Sequence, residues 1–130
     1  MKSGIDFVLD SSALLALFFR EAGEEFVRSV LYRSAVGAVN YSEVLSKLIQ
    51  KGADPRLATG MLRDLQLSVL PFDEQLALEG ADLASFAWTH GLSFADRACL
   101  ALARRCGVPA VTADLAWKIP ALPVDLHFIR

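Results

Sequence analysis

The sequence contains little cysteine and little histidine, two residues of each among 130, and this scarcity excludes several kinds of site. Cys99 and Cys106 lie seven residues apart in a helical pattern, so about 10 Å would separate their Cα atoms on one helix. A disulfide bridges less than about 7 Å, and the chain has no metal–thiolate spacing. We therefore expect both cysteines to be core residues of a protein from a reducing compartment.

Motifs for nucleophilic catalysis and for phosphate loops are also absent. His90 and His127 have no nucleophile at motif spacing, and the chain contains no G-x-S-x-G elbow, which argues against a Ser-His-Asp hydrolase. It contains no glycine-rich phosphate loop either.

The chain further lacks a long apolar run and a strong excess of one charge. The uncharged stretch 11–19 is too short to span a bilayer, and Asp6 and Asp10 interrupt the only candidate core of a signal peptide. Thirteen basic and fifteen acidic residues give a formal charge of -2, which provides no global attraction to nucleic acid. These absences predict a soluble, cytoplasmic protein without a membrane partner, in which any nucleic-acid contact depends on a local basic patch.

The apolar content is high enough for a sizeable core. The chain is 54% hydrophobic, its mean hydropathy is +0.39, and its length predicts a single domain over residues 1–130. Apolar runs predict strands at 5–9, 35–39, 67–72, 109–113 and 124–129. Amphipathic or capped segments predict helices at 12–19, 21–33, 40–52, 54–65, 73–90 and 93–107. This alternation predicts an α/β fold with a mainly parallel sheet of about four or five strands.

Four acidic residues occupy similar places in this pattern. Asp10 ends the first strand, Glu43 lies in the first turn after the second strand, and Asp114 follows the fourth strand. Because the carboxyl ends of parallel strands meet at one edge of a sheet, we expect these three acids to lie at that edge, where ligand sites form. Asp96 lies in the first turn of the last long helix, so the topology alone does not assign it to the edge.

A purely structural explanation remains open for each acid. The segment "NYSE" fits a capping box with Asn40 as N-cap and Glu43 three residues later, and "SFAD" has the same spacing. Asp10 and Asp114 are also placed to cap helices. An acid near a helix N-terminus gains roughly 0.3–1 kcal/mol from the helix dipole.

Taken together, the acids favour a metal site. Four negative charges at one edge repel one another, and a divalent cation such as Mg²⁺ or Mn²⁺, which prefers carboxylate and water oxygens, would relieve that repulsion. Such a cation can activate water and stabilise charge on a phosphate. The hydroxyls of Ser11, Ser12 and Thr112 stand beside the acids, where they either orient a carboxylate or a metal-bound water or act as ordinary cap and turn hydroxyls.

The ordered set of stretches "VLDSSALLALF", "NYSEVLSKL", "LSFADRACLALARRCG" and "AVTADLAW" resembles PIN-domain ribonucleases of the VapC kind, the toxins of toxin–antitoxin pairs. The resemblance covers residues 7 to about 118, and it depends on the set of four stretches, because no single motif is specific. It implies a three-layer α/β/α fold and a Mg²⁺- or Mn²⁺-dependent endoribonuclease that hydrolyses RNA phosphodiesters.

The resemblance also assigns residues and partners. It implies that Asp10, Glu43, Asp96 and Asp114 hold the metal and carry the catalysis, with Ser11 and Thr112 as the small polar residues beside them. It implies an RNA substrate, a small antitoxin protein that blocks the site, and a homodimer. Some members of the family have a further acid after the fourth motif. Here that segment has Trp117, which we expect to be a core residue, and Lys118.

Cations for RNA phosphates are available on three predicted helices. Arg97 is the first candidate because it follows Asp96 directly, although it could instead pair with an acid. The other candidates, which a solvated helix face explains equally well, are Lys47, Lys51, Arg56, Arg63, Arg104 and Arg105.

Two other functions remain open. An Asp10 nucleophile would make the chain a phosphohydrolase or phosphotransferase. However, haloacid-dehalogenase-type phosphatases place a second aspartate two residues after the nucleophile, where this chain has Ser12. Alternatively, the chain is a non-catalytic module of the same fold that binds RNA or a protein, although the presence of all four acids argues against a decayed site.

Overall fold

The computed structural model describes residues 4–130. Its α-helices are α1 (Ser11–Phe19), α2 (Glu24–Val30), α3 (Ala38–Gln50), α4 (Pro55–Asp64), α5 (Glu74–Asp82), α6 (Ala84–His90) and α7 (Phe94–Cys106). Its strands are β1 (Phe7–Leu9), β2 (Ser34–Gly37), β3 (Ser68–Leu70), β4 (Ala110–Thr112) and β5 (Leu126–Phe128). Short 3-10 helices lie at Leu31–Arg33 and Leu115–Trp117. None of the helices formed by residues 4–130 has the length and apolarity needed to cross a membrane.

The five strands form one parallel sheet, as the sequence predicted, and their order in it is β3-β2-β1-β4-β5. The first strand of the chain is therefore the central strand. Val8 pairs with Ala35 of β2 on one side and with Ala110 of β4 on the other. All three side chains are fully buried, which explains the continuous apolar runs in these segments.

Helices cover both faces of the sheet and complete the α/β/α arrangement. Successive side chains of β1 point to opposite faces, so Val8 packs in a hydrophobic cluster with α5 and α7, whereas Leu9 packs in a second cluster with α1 to α4. Cys99 and Cys106 are buried in the first cluster. Trp117 is fully buried there too, which confirms the expected core position.

Two helix predictions were wrong. Helix α3 begins at Ala38 with Gly37 as N-cap, so Asn40 lies inside the helix and does not cap it. The strand before it ends at Gly37 and not at residue 39. The predicted helix at 73–90 is two helices, α5 and α6, because the backbone leaves helical geometry at Leu83. No glycine or proline marks that break, and apolar periodicity continues across it.

The C-terminal strand is tied to the start of α2 through Gly23. This glycine has φ +96°, and a Cβ added to it would lie 2.5 Å from the backbone oxygen of Ile129. Ile129 follows β5 and donates its N–H to the Thr112 carbonyl at 3.0 Å. The absence of a side chain at Gly23 thus allows the chain end to pack beside β4.

We expect Gly23→Ala to destabilise the protein more than Gly52→Ala. Both glycines have positive φ, and a positive φ costs an alanine about 1–3 kcal/mol. A Cβ at Gly52 meets no atom within 4 Å, whereas one at Gly23 requires backbone to move. Urea denaturation of the two variants measures the difference in the free energy of unfolding. Equal losses would show that the Gly23–Ile129 contact adjusts without cost.

Candidate active site

The carboxyl ends of the strands bring the predicted acids to one edge of the sheet. Asp10 directly follows β1 and caps α1, Glu43 lies in the second turn of α3 after β2, and Asp114 is the second residue after β4. Asp96 joins them because the first turn of α7 packs against α3. There the Asn40 side chain donates a hydrogen bond to the Ala95 carbonyl at 3.3 Å.

The Asp10 carboxylate is buried and strongly oriented. The residue is 4% exposed. One oxygen accepts the backbone N–H of Ala13 at 2.8 Å, the other accepts the Thr112 hydroxyl at 2.6 Å, and the Ser12 hydroxyl lies within hydrogen-bond distance of both, at 2.7 and 2.9 Å. A carboxylate has about four lone-pair directions, and three donors use three of them.

The two hydroxyls also join Asp10 to the loop after β4. Ser12 Oγ accepts the N–H of Ala113 at 2.8 Å, and Thr112 Oγ1 accepts the N–H of Asp114 at 3.0 Å. Each hydroxyl therefore donates to the carboxylate and accepts from the backbone. This arrangement fixes the position of the Asp114 backbone relative to Asp10.

Ser11, the third hydroxyl, faces a different partner. It is buried, and its Oγ accepts a hydrogen bond from Asn40 at 3.2 Å. Ser11 therefore contacts α3 and makes no hydrogen bond to Asp10 in the described structure. Sequence reasoning missed Asn40 because its pattern with Glu43 is that of a capping box, and the only hint was its place beside a predicted site residue.

Burial and mutual repulsion act on the acids. Desolvation by burial raises the pKa of Asp10 to about 6, and the negative charge of Asp96 adds to this increase. The hydrogen bonds from Thr112, Ala13 and Ser12 lower the pKa and offset part of the effect. The pKa of Asp96 is raised chiefly by desolvation and also by the charges of Asp114 and Glu43. Each of the four acids therefore lies within electrostatic reach of at least one other.

No ion pair formed within residues 4–130 neutralises this edge. The ion pairs of the described chain involve other acids, namely Asp6, Glu21, Glu24 and Asp73. Arg97 donates to the Gly80 carbonyl at 3.3 Å and its guanidinium lies over the Phe94 ring, so its described contacts are with α5 and its own helix. A phosphate contact by Arg97 stays a prediction.

The remaining cationic candidates divide into two groups. Arg105 pairs with Asp73 at 3.0 Å. The others are exposed and form no ion pair within residues 4–130: Lys47, Lys51, Arg56, Arg63 and Arg104. Their contact with phosphates likewise stays a prediction.

In Asp96 and Asp114, one carboxylate oxygen caps a helix and the other is free to bind a cation. Asp96 forms the capping box with Ser93 through Oδ2, and Asp114 accepts the N–H of Ala116 through Oδ1. The second oxygen of each makes no hydrogen bond within residues 4–130, and neither does the Glu43 carboxylate. The edge therefore presents unoccupied carboxylate oxygens.

These donors suit a hard divalent cation. They are carboxylate and hydroxyl oxygens, without imidazole or thiolate, which matches the preference of Mg²⁺ and Mn²⁺. No group of three or more His, Cys, Asp or Glu side chains within residues 4–130 is already assembled as a metal cage. Mg²⁺ does not require one, because it commonly binds through one or two carboxylates and keeps several waters.

Comparisons with known proteins agree with this fold. The profile of the PIN domain family matches residues 7–121, which is most of the chain. The chain therefore belongs to the PIN domain family, and the resemblance seen in the sequence is confirmed at that level. A comparison with curated proteins gave no match.

Solved structures of low sequence identity share the fold. The DNA-bound VapBC of Salmonella typhimurium matches with a TM-score of 0.76 at 15% identity, over 97% of this chain and 99% of that chain. VapBC-1 of nontypeable Haemophilus influenzae matches with a TM-score of 0.74 at 15% identity, over 96% of this chain and 98% of that chain. VapBC-5 of Mycobacterium tuberculosis, a member of the VapBC family of toxin-antitoxin systems, matches with a TM-score of 0.63 at 23% identity, over 95% of this chain and 98% of that chain.

Asp10→Asn should change how stability depends on pH. Because the pKa of Asp10 is raised from 3.8 to about 6 on folding, its contribution to the free energy of unfolding is greatest below pH 4 and falls as the pH rises through 6. Asparagine does not ionise and keeps the cap acceptor. We therefore expect the variant to gain stability relative to wild type as the pH rises. The difference in the free energy of unfolding, variant minus wild type, should be about 2 kcal/mol higher at pH 7.5 than at pH 4.5.

Chemical denaturation in the presence of chelator at both pH values measures this difference. Asp54→Asn is the matched control, because Asp54 also caps a helix through its side chain but is exposed. A relative stability of Asp10→Asn that is the same at both pH values would contradict the raised pKa.

Proposed function

We propose that the chain is a metal-dependent endoribonuclease that hydrolyses RNA phosphodiester bonds and acts as the toxin of a toxin–antitoxin pair. The observation that carries the proposal is the buried, hydrogen-bonded Asp10 carboxylate, which lies beside further carboxylates and has no cationic side chain of residues 4–130 in ion-pair contact. Such an edge costs folding free energy, and a bound cation would offset that cost. Membership of the PIN domain family supports the same function.

In this proposal Mg²⁺ or Mn²⁺ would be held by the four acids at the edge of the sheet, namely Asp10, Glu43, Asp96 and Asp114. When bound, the cation would lower the pKa of a water molecule and stabilise negative charge on the phosphate. The chain itself orients the acids. Ser12 and Thr112 fix the plane of the Asp10 carboxylate, and the capping hydrogen bonds of Asp96 and Asp114 leave one oxygen of each to accept a hydrogen bond from water.

An antitoxin and a second copy of the chain are the proposed protein partners. VapBC-5 is described as a member of toxin-antitoxin systems, and a Klebsiella pneumoniae chain that shares this fold comes from a toxin-antitoxin complex. The surface of this chain offers large exposed apolar side chains for such contacts, among them Tyr32, Leu57, Leu78 and Trp88.

Purified protein should cleave RNA only when a divalent cation is present. We expect cleavage of a mixed RNA pool with Mg²⁺ or Mn²⁺, none with chelator, and a loss of about 100-fold or more in Asp10→Asn and Asp96→Asn, because both carboxylates are proposed ligands. Gel analysis of the RNA measures the rate, and Asp54→Asn serves as the control variant. Wild-type rates in the two site variants would show that another residue set, or a contaminant, cuts the RNA.

Divalent cations should also stabilise the folded protein. A ligand at 100 times its Kd adds about 2.7 kcal/mol to the free energy of unfolding. We therefore expect Mn²⁺ to raise the Tm of wild type and to have little effect on Asp10→Asn. Thermal melts at ionic strength matched with KCl separate binding from charge screening. Stabilisation without any RNA cleavage would favour a non-catalytic binding module.

A further inference from the structure

Asn40 is buried between three elements that each carry one of the acids. It is the only asparagine of the chain, and the residue is 2% exposed. Its Nδ2 donates to Ser11 Oγ at 3.2 Å and to the Ala95 carbonyl at 3.3 Å. Ser11 follows Asp10, and Ala95 precedes Asp96.

Asn40 also lies one helical turn before Glu43 on α3. One amide nitrogen therefore connects the start of α1, the start of α3 and the start of α7. The Ser11 hydroxyl in turn donates to the backbone carbonyl of Asn40 at 3.5 Å, so two hydrogen bonds link Asn40 to α1.

The orientation of the amide is fixed by chemistry. The Ala95 carbonyl can only accept, so the nitrogen of the amide must face it and a flipped amide would place two acceptors together. The opposite atom, Oδ1, is buried and has no hydrogen-bond partner within residues 4–130. Asn40 lines an apolar crevice with Gly37, Phe72 and Ala98, and this crevice is too narrow for a water molecule.

An unpaired buried acceptor destabilises the folded protein, so Asn40 is a poor choice for stability alone. An apolar side chain of similar size would avoid that cost and still fill the space between α3 and α7. What only the amide provides is a pair of directed hydrogen bonds to backbone and side-chain atoms beside Asp10 and Asp96.

We propose that Asn40 is a positioning residue that sets the relative placement of Asp10, Glu43 and Asp96 and thereby the affinity of the site for a divalent cation. This inference rests on the metal site proposed above. Asn40 does not touch the ion or the substrate. It acts through Ser11 and Ala95, because the backbone positions of these residues determine where the neighbouring carboxylates of Asp10 and Asp96 lie.

The test is the Mn²⁺ affinity of Asn40→Leu, measured from free Mn²⁺ by electron paramagnetic resonance at a temperature where the variant is folded. Groups that orient metal ligands change affinity by about 10–100-fold, so we expect the Kd for Mn²⁺ to rise at least 10-fold. At saturating Mn²⁺ we expect kcat for RNA cleavage to fall while KM for RNA stays near the wild-type value.

Ser34→Ala is the matched control. Ser34 is also buried, and its hydroxyl donates to the Val30 carbonyl at 2.7 Å, but it lies at the start of β2 on the opposite edge of the sheet. We expect it to lower the Tm and to leave the Mn²⁺ affinity unchanged. A merely structural role for Asn40 would give the same result in Asn40→Leu.

Ser11→Ala provides a second variant if Asn40→Leu does not fold. It removes the acceptor of one Asn40 hydrogen bond, and we expect it to weaken Mn²⁺ binding in the same direction. A rise in Kd of less than 10-fold in folded Asn40→Leu would overturn the role of Asn40 and leave the metal site standing, and so would an unchanged Kd in Ser11→Ala where Asn40→Leu does not fold. A wild-type protein that binds no Mn²⁺ would overturn the metal site and this inference with it.

Discussion

The burial of the Asp10 carboxylate at the end of the central strand is the constraint that organises this protein. A charged group that is 4% exposed needs hydrogen bonds, and the chain provides them from α1 through Ala13 and Ser12 and from β4 through Thr112. The same hydroxyls accept N–H groups from the loop after β4. The requirements of one carboxylate thus determine how the first helix, the central strand and its neighbour meet.

The hydrogen bonds do not remove the electrostatic cost. Desolvation still raises the pKa of Asp10, and the Asp96 charge adds to the effect. Two hydrophobic clusters on opposite faces of the sheet, joined at Val8 and Leu9, stabilise the fold against this cost. Natural proteins commonly accept lower stability at a functional site, because a site matched to its ligand is strained without it. The acidic edge of this sheet would have that character in the proposed metal site.

The sequence predicted the parallel sheet and placed three of the acids, Asp10, Glu43 and Asp114, at one edge of it, because apolar runs and topology determine both. It predicted the capping box of "SFAD" and the caps at Asp10 and Asp114, where local chemistry alone decides. It was wrong at Asn40, because the capping pattern with Glu43 is local whereas the partners of this side chain, Ser11 and Ala95, are 29 and 55 residues away. Packing across elements leaves no such local signal.

Capping and metal binding are therefore not competing explanations of the acids. A helix N-terminus carries partial positive charge, which favours a carboxylate where no cationic side chain is present. Asp10, Asp96 and Asp114 each use an oxygen to accept a backbone N–H at the start of a helix or 3-10 turn. In Asp96 and Asp114 the second oxygen has no partner within residues 4–130. The caps hold the charges at the edge, and the remaining oxygens are what a divalent cation would bind.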